Sequence, residues 1–103
     1  MTMLNSILLE GIVSSDPVST LRKDIYRCSF NIKTEYINKS NLSQNKSYTF
    51  PIECYGELAE MCSDYFKVGT TIRIVGRLSR DRNDMLIVLG EHIEIKQKIM
   101  KGV

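Results

Sequence analysis

The chain has no tryptophan, one histidine, and three cysteines that never stand as a C-x-x-C pair. Each scarcity closes off a class of chemistry. His92 falls inside a strand-like run, has no second histidine to share a metal with, and is expected to be structural. Cys28, Cys54 and Cys62 are too widely spaced for a zinc pattern and read as small buried side chains in a reducing compartment. No metal and no other cofactor is expected. The six glycines are scattered singly, so no glycine loop cradles a phosphate. No apolar run approaches the roughly 20 residues that span a bilayer. Residues 1–6 lack a basic segment followed by an apolar stretch, so a secretory signal is not expected and a cytoplasmic protein is. Glu57 and Glu60 are better placed for the electrostatics of a helix start than for acid–base work. The chain is not expected to be an enzyme.

What is present is ordinary in bulk and uneven in distribution. At 103 residues, 43% hydrophobic and 25% charged, the chain suits one globular domain with one core, residues 1–103. The net charge of +2 is too small to argue for nucleic acid. Its layout says more. Between Arg22 and Thr49, Arg22, Lys23, Arg27, Lys33, Lys39 and Lys46 meet only Asp24 and Glu35. Between Glu53 and Asp64 there are four acids and no base. From Lys67 to Arg82, five bases (Lys67, Arg73, Arg77, Arg80, Arg82) meet Asp81 alone. A fold that brings the two basic segments together builds a basic groove on a nearly neutral protein.

The apolar pattern is mostly of period two. Residues 4–14 predict a first strand buried on much of both faces, with Gly11 permitting a bulge or bend. Ser14-Ser-Asp-Pro17 has turn chemistry. Residues 25–36 alternate cleanly: Tyr26, Cys28, Phe30, Ile32, Thr34 and Tyr36 on one side, Arg27, Ser29, Asn31, Lys33 and Glu35 on the other, predicting a second strand. A polar loop covers 38–47. A third strand covers 48–55, with Phe50, Ile52 and Cys54 inward, Thr49, Glu53 and Tyr55 outward, and Pro51 at an unpaired edge or bulge. From Glu57 to Lys67, Leu58, Met61, Cys62, Tyr65 and Phe66 recur at helical spacing, with Lys67 at the negative end and Gly69 as the stop. Residues 71–79 and 85–95 predict strands four and five, joined by a polar hairpin at 79–84, and a basic tail follows over about 96–103. One helix between strands three and four of an all-β chain indicates a five-stranded barrel of the oligonucleotide/oligosaccharide-binding type, the OB-fold.

With the elements in this order, the chain resembles the bacterial single-stranded DNA-binding protein family, SSB. The resemblance is carried by Asn5-Ser-Ile-Leu-Leu-Glu-Gly11 in the first strand, Ser15-Asp-Pro17 in its turn and Phe30-Asn-Ile-Lys-Thr34 in the second strand. It continues through Tyr55-Gly-Glu-Leu-Ala-Glu60 and Tyr65-Phe-Lys-Val-Gly69 around the helix, and Ile74-Val-Gly-Arg-Leu78 in the fourth strand. It departs where that family usually stacks bases on tryptophan: this chain offers only tyrosines and phenylalanines. It also closes on Lys98-Ile-Met-Lys-Gly-Val103 rather than on a flexible linker and an acidic partner-recruiting tip, as in a short, tailless form. A tailless OB chain of this length is also similar to the primosomal protein PriB, a dimeric relative.

The resemblance implies single-stranded DNA binding with little sequence preference, in replication, recombination or repair. That function needs flat π surfaces for bases and cations along the phosphate path. Tyr55, Tyr36 and Tyr48 are the stacking candidates, while Phe30, Phe50 and Phe66 share faces with core residues. Arg73 and Arg77 on the outward face of strand four, with Arg80 and Arg82 beyond it, are candidate phosphate contacts. So are Arg27 and Lys33 on strand two, and Lys39 and Lys46 flanking the loop. Glu53 beside Tyr55 counts against a wholly basic groove. The family's habit of covering spare sheet surface by self-association implies a homotetramer first and a PriB-like dimer second, with replication or repair proteins as partners and no membrane. An assembly module acting through protein contacts and an RNA-binding OB domain remain as alternatives.

Overall fold

The structure, a computed structural model, describes residues 2–97. The expected basic tail lies outside these from residue 98 onward, and Lys96 belongs to the last strand. The elements run β1 (Ile7–Val13), β2 (Val18–Arg22), β3 (Ile25–Tyr36), β4 (Lys46–Tyr55), α1 (Glu57–Tyr65), β5 (Thr71–Arg80) and β6 (Leu86–Gln97), with a single 3-10 turn at Leu42–Gln44. The strands form one sheet in the order β1-β5-β6-β4-β3-β2, which an additional β1–β3 pairing closes. Every pairing is antiparallel except β4 with β6, where Ile52 faces Val88 and Glu53 faces Leu89.

β1 and β2 are two halves of one bent strand. β1 follows β5 from Ile7 to Ile12, then turns onto β3 at Val13↔Ile32, and β2 resumes along β3 at Val18↔Ser29. In the break between them, Ser14 N donates to the Asn31 carbonyl at 2.8 Å and Asn31 N donates to Ser15 Oγ at 2.8 Å, so both backbone groups of Asn31 keep partners where the strand changes. Counted this way the molecule is the five-stranded OB barrel, with its helix between the third and fourth strands. Gly11 sits where β1 changes partner: a Cβ there would lie 2.7 Å from the Lys33 carbonyl oxygen. β2 itself has no counterpart among the strands expected from the sequence. Its hairpin turns on Lys23 (φ 53°) and Asp24 (φ 63°), both left-handed, in the two-residue geometry that usually advertises itself with asparagine and glycine.

The core holds Val13, Cys28, Phe30, Ile32, Ile52, Cys54, Ile72, Ile74, Val88 and Ile93, the inward members of the alternating strands. Each such side chain contributes about 1.5–3 kcal/mol by leaving water. α1 adds Ala59 and Cys62 to this core, and Phe66 just past the helix meets Phe30 edge-on at 5.6 Å between ring centroids. All three cysteines are buried free thiols, as expected. Burial drives the Cys28 thiol up to about 11, and Cys62 is raised further by its hydrogen bond with Cys54 Sγ 3.5 Å away.

Several local expectations are corrected. The helix ends at Tyr65, because Phe66 turns extended to reach the core; Lys67 lies beyond the last turn and Gly69 serves the following turn rather than the helix end. Tyr65 is exposed and Ala59 takes the buried place on the inner face. β1 is not buried on both faces, since Leu8 and Ile12 look outward from the barrel. Leu78 is half exposed although it keeps the parity of Ile72, Ile74 and Gly76 on β5; the extra residue at the nearby register shift, Glu91, is on β6. Pro51 pairs with Asn31 but has no partner on its other side, where β6 begins only at Ile52, so the missing N–H costs nothing.

Gly76 is the position with least room: a Cβ there would lie 2.1 Å from the Leu89 carbonyl oxygen, a backbone atom. Gly76→Ala is expected to destabilise the fold by about 1–3 kcal/mol or more. Thermal unfolding reads this as a loss of roughly 4–8 °C for each kcal/mol.

Candidate nucleic-acid interface

The outward face of β3 and β4 is built from cross-strand pairs: Arg27↔Tyr55, Ser29↔Glu53, Asn31↔Pro51 and Lys33↔Thr49. A groove of about 340 Å³ runs along it, walled by Ser15, Asp16 and Val18 from the β1–β2 break and by Asp81 and Ile87 from the β5–β6 end. OB barrels offer this strand face and its flanking loops to oligonucleotides.

At its centre Glu53 is only 4% exposed. Arg27 Nε donates to Glu53 Oε1 at 2.7 Å, and Tyr55 Oη donates to the same oxygen at 2.9 Å. The Arg27 hydrogen bond holds the Glu53 carboxyl below its usual range against the opposing effect of burial. Glu53 in turn holds Arg27 above its usual value, and burial, followed by the bond to Glu53, raises Tyr55. Glu53 therefore belongs to the outward face as expected, but it lies beneath Arg27 and Tyr55 and its charge is compensated. Asp81 is likewise committed, accepting from the backbone N–H groups of Asn83 and Met85 at 2.9 Å and shaping the β5–β6 turn. Arg27 is the sole cation among the residues that line the groove.

Beyond the barrel, β3 and β4 continue as a two-stranded arm to the pair Tyr36↔Lys46. Tyr36 and Tyr48 are 60% and 50% exposed, and together with Lys46, Asn38 and Gln44 they border a second hollow of about 560 Å³. Tyr48 stacks on the half-buried Phe50 with centroids 6.4 Å apart. Alternation puts Tyr36 and Tyr48 on the opposite face of the ribbon from Arg27, Lys33 and Tyr55. The arm's tip is held by asparagines: Asn38 Oδ1 accepts from the N–H groups of Ser40 and Asn41, its Nδ2 donates to Gln44 Oε1, and its own N–H donates to Asn45 Oδ1. Lys39 is exposed on this tip, and Lys33 lies 3.6 Å from Glu35.

The basic segments meet only in part. Arg80 and Arg82 flank Asp81 in the chain, but neither is among the residues that line the groove; Arg80 is engaged locally, donating to the Asp84 carbonyl at 2.8 Å. Arg73 stands elsewhere, on the outside of the β1–β5–β6 sheet between Glu10 and Glu94, and donates Nε and Nη2 to Glu10 Oε2 at 3.1 and 3.0 Å. Arg77 is exposed on the same strand, which β6 separates from β4. The expected union of both basic segments in one groove is thus corrected: β5 is not a neighbour of β3 or β4. Sequence reasoning also passed over Asp16, Val18, Asn31 and Ile87 as groove walls. The turn chemistry at 14–17 marked the break, but only the barrel's closure brings it against β3.

The Single-strand binding protein family profile matches residues 4–85. A single-stranded DNA-binding protein of Aquifex aeolicus is 28% identical over 83 residues, covering 78% of this chain and 56% of its own length, so the chain spans little more than half of that relative. Among solved structures, a small single-stranded DNA-binding protein of Streptomyces coelicolor superposes with a TM-score of 0.77 at 18% identity, covering 92% of this chain and 96% of its own. The second single-stranded DNA-binding protein of Mycobacterium smegmatis gives 0.76 at 17% identity, with 94% and 98% covered. These structural likenesses concern the fold. The profile match extends from the residues before β1 to the turn before β6, and on that ground the chain belongs to the single-strand binding protein family.

Proposed function

We propose that this chain is one OB-fold domain that binds single-stranded DNA with little sequence preference, as a cytoplasmic, non-enzymatic protein of replication, recombination or repair. The observation that carries the proposal is Tyr55 beside Arg27 on the open β3–β4 face of a barrel belonging to the single-strand binding family. Tyr55 supplies a half-exposed ring for a base, and the arm's Tyr36 and Tyr48 supply two more on the ribbon's other face. Stacking is tolerant of sequence because every base has a π face, at about 1–3 kcal/mol per base. Arg27, Lys33, Lys39, Lys46, Arg80 and Arg82 follow the phosphates. Arg73 and Arg77 are outlying candidates: they share the outer face of β5 with Val75, and Arg73 is held there by Glu10, so they meet a strand only where that face stays open.

Self-association fits the outer side of β1 and β5, where exposed Leu8 pairs directly with Val75 and exposed Ile12 follows beyond the Glu10–Arg73 ion pair. A homotetramer is the assembly proposed, and a PriB-like dimer is the other outcome. Among the described residues no helix is long and apolar enough to cross a membrane. A second reading, a module that assembles replication proteins, draws support from Asp16 and Asp81 in the groove wall, which oppose a phosphate path directly over them.

Fluorescence-anisotropy titration with oligo-dT, oligo-rU and duplex DNA at two salt concentrations tests the main reading. Oligo-dT is expected to bind more tightly than duplex, with log affinity falling at roughly 0.7 per phosphate neutralised against log salt. Equal or tighter duplex binding contradicts the proposal, and tighter oligo-rU binding moves it to RNA. Tyr55→Ala is expected to cost about 1–3 kcal/mol of oligo-dT affinity. Intact DNA binding by Tyr55→Ala and Arg27→Ala together with loss of a protein partner favours the assembly module. Light scattering is expected to give a tetramer, and Leu8→Glu is expected to lower the mass while circular dichroism stays unchanged. A wild-type monomer contradicts the assembly proposed here.

A further inference from the structure

The geometry points to Glu53 as a positioning residue that joins Arg27 and Tyr55 into one pre-set nucleotide-binding unit; this rests on the single-strand binding reading above. A carboxylate buried in a face that meets a polyanion is unexpected on two counts. It resists desolvation, and when ionised it repels phosphate. The backbone of Glu53 takes part in the β4–β6 pairing opposite Leu89, but that pairing does not require a carboxylate: the side chain lies outside the apolar core cluster and stands opposite the small Ser29 on β3. What the carboxylate does is draw together the two side chains of the neighbouring cross-strand pair, Arg27 on β3 and Tyr55 on its own strand. Its Oε1 receives both Arg27 Nε and Tyr55 Oη, and Arg27 and Tyr55 face each other across β3 and β4.

The way the atoms are used matters. Arg27 engages Glu53 through Nε, which leaves its terminal NH2 groups, the fork that suits a phosphate, for a ligand. Tyr55 is held by its hydroxyl at the far end of the ring, and the residue remains 46% exposed. Glu53 thus fixes the cation and the π surface side by side before any strand arrives. A free Arg or Tyr side chain loses rotamer freedom on binding, and ordering one beforehand is worth about two- to tenfold in affinity.

Oligo-dT binding by the full chain is measured for wild type, Tyr55→Phe, Glu53→Gln and the double variant, across a salt series and at a temperature where thermal unfolding shows all four folded. Tyr55→Phe keeps the stacking ring and removes only the hydroxyl bond, and Glu53→Gln keeps the shape and removes the charge. Each single variant is expected to bind about two- to tenfold more weakly. The double variant is expected to be no weaker than the weaker single, because both changes dissolve the same unit. The salt slope of Tyr55→Phe is expected to match wild type, since no charge has changed. A merely structural Glu53 lowers the melting temperature and leaves these affinities alone, which overturns the assignment. Tighter binding by Glu53→Gln overturns it too, by showing a simple repulsive charge. Additive losses in the double variant also overturn it. Absence of oligo-dT binding by wild type overturns the parent reading, whereas wild-type binding with an unaffected Tyr55→Phe overturns the Glu53 assignment alone.

Discussion

The structure depends on β3 having a paired strand along both of its edges. On one side it carries β4 through a continuous ladder from Arg27↔Tyr55 to Tyr36↔Lys46, and on the other it receives first β1 and then β2. Only a first strand that changes partner midway can satisfy both β5 and β3, and that change closes the sheet. Gly11 permits the close approach, and the Ser14–Asn31–Ser15 hydrogen bonds keep both backbone groups of Asn31 partnered at the break. Closure removes the exposed edge that an open sheet of this size would present. It also determines which outward residues become neighbours.

The groove is a product of that closure, and its electrostatics follow local hydrogen bonding more than net charge. The buried carboxylate of Glu53, held below its usual range by Arg27, faces that groove, and Asp81 is committed to a turn. Among the lining residues the cation is Arg27, while Lys33, Lys39 and Lys46 lie along β3 and the arm and Arg73 lies on the outside of β5. Positive charge therefore does not coat the groove. The arm carries two more exposed tyrosines, Tyr36 and Tyr48, but on the other face of the ribbon from Tyr55.

The strands whose inward residues alternate strictly, β3, β4 and most of β5, were legible because period two with one face buried leaves a clear record in the residue types. β2 was not, because its left-handed hairpin uses lysine and aspartate where glycine would have signalled the turn. The helix was legible from Leu58, Met61 and Cys62. Its end was misjudged because Phe66 continues the apolar spacing while leaving the helix for the core. Tyr55 and Arg27 were correctly assigned to outward faces by alternation alone. Arg73 was as well, but outwardness does not say which outside a residue joins.

By itself the sequence determined the order of the elements, the alternating core, the outward parity of each candidate and the family resemblance, because these are local or collinear properties. Only the tertiary structure decided that Arg27 and Tyr55 meet on one oxygen of Glu53, that Asp81 and Ile87 wall the groove, and that Arg73 turns to Glu10. Those are facts of strand register and barrel closure. Register is set by the whole set of pairings at once, and a one-residue slip would have sent every one of these side chains to the opposite face.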